Sequence, residues 1–220
     1  MHKVPEFTTF ASLLRMATKY GFSDVREALV ESLKGTYPTQ WAHFAAARVL
    51  GEDIFGSPRP HPSAVLNLFL EQNIKFALPF AAYRACIGGF QALVRGGPGT
   101  VLPHSNLLTL VHGMGTLERV TIHSTHLIAY TEDLGVCPET TCVLSASLNS
   151  AEQRVEALNK VFDVMLEGRG GDVLSPLSFG ATLVCVKCAK KLENINCSYR
   201  KRFLWDALPC LLGWESWEGV

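Results

Sequence analysis

Apolar residues recur at helical spacing along most of the chain. Near the N-terminus, positions i, i+3, i+4 and i+7 of one helical face are occupied by Phe10, Leu13, Leu14 and Ala17. This spacing is typical of a helix that buries one side. Strict alternation of apolar and polar residues, which marks a half-buried strand, nowhere persists beyond about five positions. The pattern therefore predicts an all-α fold, an irregular domain of about seven or eight helices.

Turn and capping residues divide this pattern into separate helices. Lys19 to Gly21 is expected to close the first helix, and Ser23 to cap the second, which ends at Leu33. Pro62 is expected to open a helix at its first turn. The helices after the second are expected at 41–50, 62–72, 78–87, 105–130, 151–166 and 184–208.

Glycines mark two points where helices are expected to break or bend. The helix at 78–87 either breaks at Gly88 and Gly89 or continues to Val94. Gly113 and Gly115 lie inside the long helix, and each weakens it by about 1 kcal/mol relative to alanine. A kink at this pair is therefore compatible with the sequence.

Two connectors rich in proline or glycine interrupt the helical pattern. Three prolines fall within the last five residues of the connector at 51–62, and prolines do not fit a helix interior. The second connector lies at 168–178. We predict a single helical domain over 1–220, in which residues 1–50, 63–167 and 179–220 carry the helices. The central residues 61–135 hold only eight charged residues, so they are expected to form the core.

Charge and composition exclude several classes of protein. The 220 residues include 20 Lys and Arg against 20 Asp and Glu, so the formal net charge is zero. A dedicated binder of nucleic acid or of an anionic membrane usually carries a basic surplus. The most apolar window, 76–94, contains Arg84, and a charge inside a membrane span is costly. We therefore interpret this window as a buried helix, and we expect no membrane segment.

The chain has seven cysteines and no recognisable secretory signal at its start. An odd number of cysteines in a chain of this length favours reduced thiols over a disulfide framework. The expected location is therefore the cytoplasm or the nucleus.

Four of the cysteines occur as two closely spaced pairs. Cys137 and Cys142 form a C-x4-C motif, and Cys185 and Cys188 form a C-x2-C motif. Structural zinc takes four such ligands in a tetrahedron, and pairs of this spacing are the usual way in which a chain supplies them. The spacing is compatible with one structural zinc at these four residues, and no other cofactor is indicated. The alternative is that the four side chains are buried as small hydrophobic groups.

Other metal and thiol chemistries remain open at this point. Cys185 and Cys188 could act as a thioredoxin-like redox pair, although the strands of that fold are missing from the pattern. Cys197 could replace one ligand. His123 and His126 lie at i and i+3 on the long helix, where we favour a polar face over a metal pair. The remaining cysteines lie in apolar runs and are expected to be core residues, namely Cys86 and Cys210.

The C-terminal region carries a basic stretch and an aromatic cluster. Its basic residues at 187–202 are Lys187, Lys190, Lys191, Arg200, Lys201 and Arg202. We favour a solvated helix face there over a nucleic-acid-binding helix. Trp205, Trp214 and Trp217 either pack as a lid at a helix end, which we favour, or anchor a protein interface.

Enzyme signatures are missing from the sequence. It contains no nucleophile elbow, no phosphate-binding glycine loop and no zinc-protease motif. No cluster of acid, base and nucleophile stands out either. The expectation is a protein without enzymatic activity, and no small-molecule substrate is evident.

Several segments in order resemble one protein family. LLRMATKYGFSDVREALVESL at 13–33, TYPTQW at 36–41 and AVLNLFLEQNIKFALPFAAYRAC at 64–86 are similar to the helical region that follows the BTB/POZ fold in BTB-domain proteins of mushroom-forming fungi. The two cysteine pairs, WDALP at 205–209 and GWESW at 213–217 continue the resemblance, which covers roughly residues 8–217.

This resemblance implies a non-enzymatic module that binds a protein partner. BTB proteins commonly dimerise, and many act as adaptors of cullin ubiquitin ligases or as transcriptional regulators. It also favours a metal site at the paired cysteines. The BTB fold itself does not precede residue 8, so we expect a truncated or divergent form. Dimerisation and cullin binding through that fold are therefore not carried over.

Overall fold

The computed structural model describes residues 6–50, 55, 59–87, 89–95, 102–130, 137–139, 142, 152–153, 156–157, 174 and 184–217. For residues 46–50, 92 and 121–130 this description covers the backbone alone. No residue in these ranges lies in a β-strand, and helices make up most of them. The predicted all-α fold is confirmed for this part of the chain.

The chain divides into two compact units. Unit 1 comprises Met1–Met114 together with Leu208–Val220, and unit 2 comprises Gly115–Ala207. One boundary therefore falls inside the long helix, and the other falls just after the end of the basic stretch. Neither boundary coincides with the connectors expected at 51–62 and 168–178, because glycine and proline mark turns rather than the limits of a packed core.

Unit 1 contains most of the described helices. They are α1 (Phe7–Tyr20), α2 (Ser23–Leu33), α3 (Trp41–Leu50), α4 (Pro62–Glu71), α5 (Leu78–Ile87), α6 (Gly89–Arg95), the start of α7 (His104–Tyr130) and α9 (Leu208–Leu211). A 3₁₀ turn at Lys75–Ala77 precedes α5. Unit 2 contains the rest of α7, α8 (Val186–Tyr199) and a π-helical segment at Arg200–Trp205.

Helices α4 and α5 form the centre of unit 1. Phe69 of α4 is fully buried, and its ring meets the ring of Tyr37 edge to face, with centroids 4.8 Å apart. Phe80 of α5 packs in the same way against Phe44 of α3 at 5.6 Å. Burial of one such aromatic side chain contributes about 1.5–3 kcal/mol. The low charge of this region in the sequence reflects this core.

Polar contacts fix α1 against the end of α4. Arg15 makes a two-pronged ion pair with Glu71, with a shortest N–O distance of 2.6 Å. The Thr18 hydroxyl lies 2.6 Å from Oε1 of Gln72. Helix α1 ends as predicted, because Gly21 adopts φ +71° and its N–H donates to the carbonyl of Ala17.

The expected helix starts are partly corrected. Pro62 does open α4, and Nδ1 of His61 accepts a hydrogen bond of 3.3 Å from the N–H of Ser63. Ser23, however, is the first residue of α2 and makes no cap, because Phe22 occupies the preceding position. The capping role was assigned from residue type alone, which does not fix the helix register.

The two glycine pairs have different effects on their helices. Helix α5 ends at Ile87 and α6 begins at Gly89, which adopts φ +80°, and the two directions differ by 111°. Of the two alternatives that the sequence left open, the structure shows the break. Helix α7 continues through Gly113 and Gly115 as one element.

The final helix differs from its prediction. In place of one helix at 184–208, α8 is followed by the π-helical segment, and Pro209 lies within the short α9 instead of ending a helix. The predicted helix at 151–166 is described only at 152–153 and 156–157, which are helical. Most of the connectors at 51–62 and 168–178 lies outside the described residues.

Among the described helices, none is long and apolar enough by itself to cross a membrane. The bent pair formed by Lys75–Ile87 and Gly89–Arg95 meets the requirement only when both parts are counted together, by length and composition.

Gly113 is required for a close approach within unit 1. A methyl group built at Gly113 would lie 2.7 Å from Cδ2 of Leu212 and 2.9 Å from the carbonyl oxygen of Leu211. Both atoms belong to the chain end that follows Leu208, and Leu212 is fully buried. The glycine therefore lets α7 contact this segment directly.

Replacing Gly113 with alanine is expected to lower the free energy of unfolding by about 1–3 kcal/mol through overpacking. The matched control is Gly115→Ala, since nothing lies within 4 Å of a methyl group at that position. Higher helix propensity should make this control more stable by up to about 1 kcal/mol. Urea unfolding followed by circular dichroism measures both variants. Equal stability of the two would contradict the close approach.

Candidate metal centre

Local backbone structure positions both cysteine pairs in unit 2. The N–H of Cys142 donates to the carbonyl of Glu139 at 3.1 Å, which turns the chain between Cys137 and Cys142. Cys185 occupies the N-cap position of α8 with an extended backbone, at φ −67° and ψ 158°. Cys188 lies three residues further, in the first turn of that helix. Residues three apart on a helix share a face, so both thiols of the second pair can point to one place.

The four sulfur atoms form one cluster. All four Sγ atoms lie within 4.8 Å of one another. Sγ of Cys137 lies 3.5 Å from Sγ of Cys185. The N–H of Cys185 approaches Sγ of Cys142 at 3.4 Å, across 43 residues of sequence. The two predicted pairs are therefore brought together despite the long gap between them.

The spacing of these atoms fits metal coordination. Four sulfurs at about 2.3 Å from a tetrahedral zinc ion lie about 3.8 Å apart. A disulfide bond needs about 2.05 Å, and the four thiols are free in this structure. The cluster therefore lies close to the size of a tetrahedral site and well outside bonding distance. A set of four thiols suits a soft or borderline ion such as zinc, iron or copper(I).

The site is shielded from solvent on most sides. Three of the side chains are buried, namely Cys137, Cys142 and Cys188, while Cys185 is half-buried. Thiols are weak hydrogen-bonding groups, so a compact group of four has little to stabilise it except packing and a shared ion. A buried site with four protein ligands is characteristic of structural metals, since catalytic sites keep one coordination position open for water or substrate.

The helix start favours the thiolate form of Cys185. The backbone N–H of Cys188 is the largest influence, and the neighbouring thiols add to it, so that the pKa of Cys185 falls to about 7 despite desolvation. Lowered pKa values are typical of cysteines at helix N-termini. Without a metal, Cys185 is therefore the first of the shifted thiols to ionise.

The pKa values of two other thiols shift upward. Burial raises the pKa of Cys188 well above its usual value, and the three neighbouring thiols raise it further. At Cys137 the backbone N–H of Glu139 lowers the pKa, but desolvation and the thiols of Cys185 and Cys142 outweigh it, so the pKa is raised. A bound cation would reverse this penalty, because metal ligands must be deprotonated and binding releases their protons.

Among the other candidate ligands, only Cys197 has a described side chain. Cys197 lies in α8 and does not belong to the group of four sulfurs. The backbone of His123 and His126 lies in α7, and their side chains are outside the described residues. Cys86 is buried as predicted, and burial raises its pKa to about 12. Cys210 is exposed, which corrects its expected core position.

The basic stretch at 187–202 is divided by burial. The lysines remain exposed at Lys187, Lys190, Lys191 and Lys201, as does Arg202. Arg200, in contrast, is buried and donates to Oδ1 of Asn196 and to the carbonyl of Leu174, both at 2.8 Å. Arg200 is therefore a structural residue and not part of a solvated basic face. The pairing of asparagine and arginine four residues apart was the only sequence signal for it.

The tryptophans of the predicted aromatic cluster differ in burial. Trp205 is 1% exposed, as a packing residue would be. Trp214 and Trp217 are half-buried, and the N–H of Trp214 donates to the carbonyl of Pro209 at 2.8 Å. An interface role for these residues stays a prediction.

Comparison with protein-family models, with curated proteins and with solved structures finds no match for this chain. The resemblance to the region after the BTB fold therefore rests on the sequence segments that carry it.

In metal-free protein, Cys185 should be alkylated by iodoacetamide faster than Cys188. The rate at Cys185 should rise between about pH 6 and about pH 8, because the reactive thiolate forms as the pH passes its pKa. That pKa is about 7. Peptide mapping by mass spectrometry in the presence of a chelator measures both sites, with exposed Cys210 as the internal reference. Faster modification of Cys188 would contradict the described cluster.

Proposed function

We propose that this chain is a non-enzymatic protein-interaction or scaffold module in which a structural zinc ion holds unit 2 together. The ligands are Cys137, Cys142, Cys185 and Cys188. The observation that carries the proposal is the convergence of their four sulfurs within 4.8 Å. Spacing in the sequence had already paired these residues, and the cluster shows that the two pairs meet.

Zinc is the ion that best suits this donor set. Among the soft and borderline ions, zinc imposes no redox chemistry and accepts the tetrahedral arrangement that four cysteines provide. Four protein ligands leave no position for water or substrate. The site would therefore supply folding free energy, not catalysis.

The position of the cluster explains what the ion would stabilise. It joins Cys137 and Cys142 to the first residues of α8, and Cys142 and Cys185 are 43 residues apart in sequence. Closing a loop of this length costs several kcal/mol of conformational entropy by chain-statistics arguments. A bound ion offsets that cost and fixes the direction in which α8 begins.

The interaction role is supported by the sequence. The resemblance to the region after the BTB fold implies a protein partner, and the odd number of cysteines favours the cytoplasm or nucleus. Half-buried Trp214 and Trp217 are the side chains that we propose as contacts for it, since such rings combine apolar area with a polar edge. Nucleic acid, membrane and small-molecule substrate are not part of this proposal.

A thiol redox protein is the alternative that one observation favours. The pKa of Cys185 is lowered to about 7, which is a property of attacking thiols in disulfide exchange. In that reaction the Cys185 thiolate would attack a substrate disulfide, forming a mixed disulfide and releasing the first substrate thiol. The Cys188 thiolate would then attack Sγ of Cys185, forming a Cys185–Cys188 disulfide and releasing the second substrate thiol. A metal ligand and a redox thiol differ in accessibility. Zinc-bound Cys185 is protected from alkylation until a chelator is added, whereas Cys185 as an attacking redox thiol reacts at once.

Cys188→Ser is expected to abolish stoichiometric zinc binding and to lower Tm by roughly 10 °C or more, since a lost ligand removes part of the folding free energy. Cys197→Ser is the matched control, because Cys197 lies in the same helix but outside the sulfur cluster. Zinc analysis and differential scanning calorimetry measure both variants. If Cys188→Ser keeps the zinc content and Tm of the control, the structural metal site is wrong. Reduction of insulin disulfides by the parent chain would then favour the redox alternative.

A further inference from the structure

Unit 1 contains a cavity that the proposed function does not use. Its volume is about 230 Å³, and it lies where the segment before α4 meets α5. Ala81 and Arg84, three residues apart on α5, line one side. Arg59, in the segment before α4, and Pro62, the first residue of α4, also line the cavity. No described residue around this cavity is a cysteine, so it is chemically separate from the metal centre.

The walls of the cavity are mostly apolar and firmly packed. Val65, Ala81 and Phe55 are each less than 5% exposed. The ring of Phe55 is held by edge-to-face contacts with Phe7 and Phe10, whose centroids lie 5.1 and 5.4 Å away. A cavity of about 150 Å³ with apolar walls is large enough for a benzene molecule. The present volume therefore accommodates one ring-sized body together with a small head group.

The polar side chains of the described lining are Tyr37, exposed Arg59 and half-buried Arg84. Arg59 and Arg84 are the charged residues of the described lining, and no acidic side chain is among them. Arg84 is half-buried, and no ion pair to it is found within the described part of the chain. A guanidinium presents a planar set of donors that matches carboxylate and phosphate oxygens. Partial burial strengthens such a contact, because the local dielectric is lower than that of water.

We infer that this cavity binds a small organic anion, with a ring-sized apolar body between Phe55, Val65 and Ala81 and a carboxylate or phosphate head group at Arg59 and Arg84. Apolar walls with a few convergent charged groups are the usual composition of a ligand site. The apolar body accounts for affinity and the two arginines select the charge. The lysines of the basic stretch at 187–202 are exposed, so they do not form an enclosed site of this kind.

Titration with four small probes tests the inference directly. Benzoate and phenyl phosphate carry the two head groups, whereas benzyl alcohol and benzylamine present the same ring with a neutral or cationic group. Binding is followed in the full chain by ¹⁵N-labelled amide shifts at Val65, Ala81 and Arg84. We expect saturable shifts with one or both anions and at least about tenfold weaker binding of the other two probes, since a charge-assisted hydrogen bond carries this difference.

Variants separate the cavity from nonspecific charge effects. Arg84→Gln should weaken anion binding by about tenfold to a hundredfold, and Arg84→Lys should restore part of it. Arg95→Gln is the matched control, because Arg95 is exposed in α6 and does not line the cavity. Circular dichroism verifies that each variant is folded. Binding of phenyl phosphate but not benzoate would narrow the ligand class to phosphate esters. Binding of benzoate but not phenyl phosphate would narrow it to carboxylic acids.

Three results would overturn the inference. One is equal affinity for benzoate and benzyl alcohol, and another is an equal effect of Arg84→Gln and Arg95→Gln. The third is the absence of any saturable shift at about 10 mM anion, which corresponds to less than about 3 kcal/mol of binding free energy. Because none of these measurements depends on zinc, their failure would leave the proposed metal site unaffected.

Discussion

Four thiol sulfurs, drawn from a turn and from the start of a helix, converge within 4.8 Å of one another in unit 2. Unpaired thiols make weak contacts, yet three of these four are buried and two of those have a pKa above its usual value. A shared cation would convert this costly arrangement into a stabilising one, because it favours the thiolate at every ligand. The cluster links the segment that carries Cys137 and Cys142 to the N-terminus of α8.

Much of this arrangement could be predicted from local sequence pattern. Apolar spacing located α1, α3 and α5, and the C-x4-C and C-x2-C motifs identified all four sulfurs. These features depend on neighbours within a few residues, so they are readable from the chain. The distance in space between the two pairs cannot be read from the chain, because it depends on how the segment between Cys142 and Cys185 closes into a loop.

The features that were missed depend on contacts between distant residues. Cys210 lies in an apolar run but is exposed, and Arg200 lies in a basic run but is buried through Asn196 and the carbonyl of Leu174. Gly113 was expected to weaken α7, whereas it permits contact with Leu212. Composition gives the average environment of a segment, and tertiary packing decides the environment of each side chain.

Elemental analysis of purified, untagged protein shows most directly whether a metal ion occupies the cysteine cluster. We expect about one zinc ion per chain, with loss of helical circular dichroism when a strong chelator removes it, because metal binding then supplies folding free energy. A metal-free protein that remains fully folded, with a spectrum unchanged by the chelator, would contradict a structural zinc site and leave the four cysteines as packing residues.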